Sequence, residues 1–146
     1  MTIVAAVDRD ERDSKAVKQG IALAEAFDEP LHVVHVISQS EFREIEQSSV
    51  DRSGKTVPMD EIRERAREEA EKVAAETAEA YEAKGLVGDP ADEIIDYADR
   101  VEARYICVGG RRRSVVGKAL FGSVTQDVLL GTERPVVTTM RDGDDA

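Results

Sequence analysis

The sequence predicts an α/β protein: one doubly wound domain with five parallel strands and four helices. Three observations predict it. Apolar runs of strand length alternate with amphipathic stretches of helix length, the pattern of βαβ units. The chain has 146 residues, enough for one compact core. It carries no internal repeat and no low-complexity linker, so residues 1–146 are expected to form a single domain. Right-handed crossovers between parallel strands then favour a doubly wound sheet.

The elements follow in order. "TIVAAV", Thr2 to Val7, is a buried first strand. In "DSKAVKQGIALAEAF" Val17, Ile21 and Ala24 share one helical face, with Leu23 and Phe27 beside it. Asp13 or Ser14 caps that helix, and Pro30 stops it before the second strand, "LHVVHVI", Leu31 to Ile37. The polar stretch Ser38 to Pro58 exceeds an ordinary connection and is expected as a long loop, of the kind that is functional or mobile. A long surface helix follows, with Met59, Ile62, Ala66, Ala70, Val73 and Thr77 in helical register. Tyr81 to Val87 is the third strand, because Asp89 and Pro90 then supply the N-cap and first position of the helix "PADEIIDYADR". That helix buries Ala91, Ile94, Ile95 and Ala98. "RYICVG" is strand 4, "GSVTQDVLLG" is helix 4 closed by Gly131 at C′, and "RPVVTTM" is strand 5. Residues 142–146 form an acidic tail.

Composition limits the function. Asp and Glu number 31 against 20 Lys and Arg, a net charge of −11, which repels nucleic acid and anionic membranes. Such acidity suits solvated helices in an ordinary cytoplasm, and it suits a halophilic protein whose surroundings screen the charge. No apolar run approaches the roughly 20 residues of a membrane span, and the N-terminus lacks the basic region of a signal peptide. A cytoplasmic location is expected. The single Cys107 excludes a multi-cysteine zinc site. His32 and His35 stand three apart on a strand, point to opposite faces and cannot share a metal.

The chemistry concentrates in "VGGRRRSVVGKALFGS", Val108 to Ser123. It is not a P-loop: Arg112 stands where the first glycine belongs, and Ala119 replaces the Ser or Thr after Gly117-Lys118. Three arginines after Gly109-Gly110 also break the dinucleotide fingerprint. Ser114 and Ser123 have no histidine nearby and no G-x-S-x-G frame, so no nucleophile is marked. What remains is geometry. Gly109 and Gly110 permit positive φ, so their amides can form an anion nest. Gly122-Ser123 stands at a helix N-terminus, where free amides and the dipole attract phosphate; the Ser123 hydroxyl serves there as phosphate ligand or as helix cap. Ligands of doubly wound sheets bind beyond the carboxyl ends of the strands. If strands 1 and 4 are neighbours, Asp8 and this loop face each other across that crevice.

The layout resembles the universal stress protein family over nearly the whole chain. That family's loop between strand 4 and helix 4 is G-x-x-G, nine residues, then G-[ST]. Gly109 matches the first glycine and Gly122-Ser123 the last pair; Arg112 falls on the second glycine. "AVD" at strand 1, "HVI" at strand 2, "VGDPADEIIDYA" and "FGSVTQDVLL…RPVV" are similar to the family's corresponding segments. The resemblance implies a Rossmann-like sheet of the HUP type in the order 3-2-1-4-5. It implies an ATP-like ligand, ATP or AMP, with a magnesium ion carried by the phosphates. Asp8 would then meet the adenosine, Val36 would line the base pocket, and the amides of Gly109, Gly122, Ser123 and Val124 would hold the phosphates. Arg112 either grips the phosphates or fills the crevice, as in a non-binding branch of the family. The resemblance also implies a homodimer paired through the edge strand Val136–Met140.

Three functions remain open from the sequence: a nucleotide-binding stress or signalling module, an interaction homodimer with an empty crevice, and a slow ATPase. The last has no positioned base except Asp8. No catalytic residue is assigned.

Overall fold

The computed structural model describes residues 1–112, 119–120 and 122–141. The elements are β1 (Thr2–Ala6), α1 (Lys15–Phe27), β2 (Leu31–Ile37), α2 (Gln39–Ser53), α3 (Met59–Ala75), β3 (Glu82–Val87), α4 (Pro90–Arg100), β4 (Ala103–Arg112), β5 (Ala119–Leu120), α5 (Ser123–Gly131) and β6 (Val136–Arg141). Five strands pair in parallel as β3-β2-β1-β4-β6, which is the expected order 3-2-1-4-5.

Each face of the sheet is covered by two helices. Ile3, Ala5 and Val33 pack with Val17 of α1 and Ala70 and Val73 of α3. Val4, Val34 and Ile106 pack on the other face with Ile94 and Ala98 of α4 and Val128 of α5. The near-continuous apolar runs of β1 and β2 follow from burial on both sides. α3 comes so close to β3 that a Cβ on Gly85 would lie 2.1 Å from the Arg63 carbonyl oxygen.

Three expectations are corrected. The polar stretch is not a long loop: residues 39–53 form α2, giving five helices among the described residues. Ser38 and Glu41 make a reciprocal capping box, and Gly54 ends the helix at φ 73°. Caps close both ends of α2, and its half-buried Phe42 and Ile45 pack against the small cluster of Ile37, Val57, Ile62 and Ala66. Second, Gly131 is the last residue of α5 rather than its C′ glycine; Thr132 closes the helix in an extended conformation. Third, β4 runs past Gly109 to Arg112, and the two-residue β5 pairs antiparallel with it. Of the two residues expected as the cap of α1, Ser14 takes that place, its hydroxyl accepting from the Val17 amide at 3.2 Å.

Candidate functional site

β1 ends at Ala6, while its neighbour β4 continues to Arg112. The mismatch opens a crevice at the carboxyl edge of the sheet, where helix N-termini also gather. It holds a cavity of about 760 Å³, lined by Ala6 to Arg9, Glu11, Val34 to Val36, Glu41, Pro90, Ile94, Val108 to Gly110 and Gly122 to Thr125.

Six of the candidate residues line it: Asp8, Val36, Gly109, Gly122, Ser123 and Val124. The side chain of Arg112 lies outside the described residues, as do residues 113–118, with Arg113 and Ser114 among them, and the tail 142–146. The backbone of Arg112 pairs with Ala119. Ile106 pairs with Val4 on one side and Val136 on the other, and Arg111 pairs with Leu120 and Arg141. β5 therefore occupies the β1 side of β4, beyond the end of β1, on the crevice edge.

The anion nest expected at Gly109 and Gly110 does not form. Both lie within strand β4, and positive φ among the described glycines occurs at Gly54 and Gly88. The anion-attracting feature is the start of α5. Gly122 is its N-cap with φ −65° and ψ 165°, and no side chain caps the first turn. Ser123 is the first helical residue, so its hydroxyl is not the cap, and it is exposed. The first amides of α5 thus keep their hydrogens free at the cavity. The Thr125 hydroxyl donates to the Gly109 carbonyl at 2.8 Å, fastening the first turn of α5 to the end of β4. Thr125 was not singled out from sequence; its place one turn into the helix gives no signal without the sheet beside it.

The opposite wall is the β1–α1 connection. The Asp8 amide donates to Glu11 Oε1 at 2.9 Å, and Arg9 stands 3.8 Å from Glu41 at the start of α2. Asp10 and Asp13 adopt φ of 57° and 51°, a region that aspartate tolerates. α3 holds them: Lys72 donates to Asp10 at 2.9 Å, and the Asp13 amide donates to Glu76 at 2.7 Å. The Lys72 hydrogen bond keeps the Asp10 carboxyl below its ordinary value.

The two histidines face opposite layers, as the strand period requires. His32 Nδ1 is 2.6 Å from the Tyr97 hydroxyl of α4. Burial pushes its pKa below 6.5 against the opposing pull of Glu82, and burial raises Tyr97 to about 12. His35 bonds the Val7 carbonyl at 2.9 Å through Nδ1. Burial also raises Cys107 to about 12, which leaves it an inert thiol. No group of three or more His, Cys, Asp or Glu side chains fit for a metal occurs among the described residues. No helix among them is long and apolar enough to cross a membrane.

The family model described as "Universal stress protein family" matches residues 1–139. The chain belongs to the universal stress protein family. A universal stress protein of Methanocaldococcus jannaschii is 26% identical over 143 residues, covering 95% of this chain and 81% of that relative. The structure of a universal stress protein from Archaeoglobus fulgidus superposes with TM-score 0.59 at 29% identity, covering 94% of this chain and 97% of the other. A structure of the A. fulgidus universal stress protein in complex with dAMP gives TM-score 0.55 at 27% identity, covering 94% and 96%.

Proposed function

We propose that this universal stress protein binds an adenine nucleotide in the crevice between β1 and β4, in a stress-response or signalling role. The observation that carries the reading is the uncapped start of α5, tied to Gly109 through Thr125 and open to a cavity of nucleotide size. The phosphates sit against the amides of Ser123 and Val124. The sugar lies toward Asp8 and the base toward Val36, one and two strands away from β4. The relative solved with dAMP supports the choice of an adenine nucleotide. A magnesium ion, where present, is held by the phosphates rather than by a cluster of protein ligands.

Equilibrium dialysis with ATP and with AMP tests this. Binding of either at millimolar ligand is expected. Asp8→Asn removes a charged acceptor for a sugar hydroxyl and weakens binding by about 10-fold. No binding of either nucleotide, at any salt concentration that keeps the chain folded, overturns the proposal.

A second reading rests on β4 itself. The strand continues to Arg112, the residue that stands where the family's loop has its second glycine; on this reading Arg112 blocks the crevice and the protein acts as an interaction homodimer. Dialysis separates the two readings, since only the first takes up nucleotide.

A further inference from the structure

We propose that His35 is a positioning residue that holds β1 and β2 open at the cavity, leaving the Val36 amide free for the occupant; this rests on the nucleotide reading above. β1 and β2 pair in parallel from Ile3 to Ala6, and the Val7 amide still donates to the Val34 carbonyl at 2.9 Å. In a parallel ladder the next rung runs from the Val36 amide to the Val7 carbonyl. That rung is absent among the described residues. The Val7 carbonyl instead accepts from His35 Nδ1 at 2.9 Å. The imidazole thus takes the place of the rung, and the Val36 amide, in the cavity wall, is left without its ladder partner.

The tautomer follows. A carbonyl only accepts, so Nδ1 carries the proton and Nε2 is a bare acceptor. Nε2 is buried and has no partner. A buried acceptor left unpaired is unfavourable, and a phenyl ring of similar shape would avoid it. What the imidazole supplies that a phenyl ring does not is the Nδ1–H bond to Val7. Strand alternation sets the His35 side chain on the α1 and α3 side, away from Val34 and Val36. It therefore acts through the backbone of Val7 and Asp8, not by touching the ligand.

The test has one arm with ligand and one without. His35→Phe removes the donor, whereas His35→Asn keeps an N–H near the Nδ1 position. AMP affinity is expected to fall about five- to tenfold in His35→Phe and to stay within about twofold in His35→Asn. Without ligand, hydrogen exchange of the Val36 amide is expected to slow about tenfold in His35→Phe, because the freed Val7 carbonyl accepts it and the rung closes. Equal loss of affinity in both variants, or unchanged Val36 exchange in His35→Phe, overturns the proposal. Failure of the wild type to bind AMP sinks the nucleotide reading, and the exchange arm still judges His35. If His35→Phe does not fold, His35→Gln, whose amide sits near the Nε2 position, takes its place with the same expectations. The chain has two histidines, so the ring nitrogens of the wild type are readily assigned by NMR; a proton on Nε2 of His35 and none on Nδ1 also contradicts the account.

Discussion

Single side chains set the chemistry of both ends of the sheet. At the amino end, His32 Nδ1 lies 2.6 Å from the Tyr97 hydroxyl and Nε2 stands 3.6 Å from Glu82. Burial disfavours the charged ring and outweighs the opposing pull of Glu82. The folded pKa is therefore depressed below 6.5 for a base, and the unfolded chain takes up the proton first. This stabilising contribution is full above the unfolded value and is lost as pH falls through it toward the folded pKa. Melting temperature is expected to drop between pH 7.5 and 5.5, and His32→Asn is expected to flatten that part of the profile. A wild type and variant with parallel profiles would contradict the assignment. At the carboxyl end, the place of Asp8 on the cavity was legible because it stands just past the first apolar strand, beside the strand 4 loop. His35 and Thr125 were not. Their roles depend on which carbonyl lies beside them, and that is fixed by strand pairing, not by spacing in the chain.

Elements were legible where apolar periodicity is strong. β2 and the start of α3 fall where the pattern places them, and Asp89-Pro90 opens α4 with the Asp89 side chain bonding the Asp92 amide. α2 was missed because its signal is of another kind. Its apolar face rests on Phe42 and Ile45, half-buried against the cluster of Ile37, Val57 and Ile62, a stripe too short to stand out in a polar background. Its signature is the Ser38–Glu41 box followed by Gly54, a capping signal in a polar background. β5 was missed for a similar reason: two residues carry no periodicity. A helix with so few apolar contacts should open locally. Ser38→Ala is expected to destabilise α2 by about 1 kcal/mol. Amide exchange should quicken across residues 39–53 and stay unchanged in β1 and β4, whereas a matching change in the sheet would show that α2 is part of the global core.

Among the described residues the parallel sheet has two edge strands, β3 and β6. β6 ends the sheet on the side away from β1, and all of Val136 to Met140 is half-buried at most. Lys15 donates to the Met140 carbonyl at 3.0 Å and covers one end. The rest, Val137 to Thr139, carries no charge that would deter pairing with another chain. A homodimer through this edge is proposed on that ground. Sedimentation at micromolar concentration should give a dimer, and Val137→Asp should give a monomer. A variant that remains dimeric places the interface elsewhere. The acidic balance of the chain makes this association depend on salt, since screening weakens the repulsion between two like-charged copies.

The fold class and the crevice were both legible in the sequence, but what the crevice does rests on α5. An NMR titration of the wild type with AMP tests that directly, by mapping which backbone amides shift. The account predicts saturable shifts centred on Ser123 and Val124 at the start of α5, with smaller ones at Asp8 and Val36. No saturable shifts, or shifts centred away from the β1–β4 crevice, would contradict it.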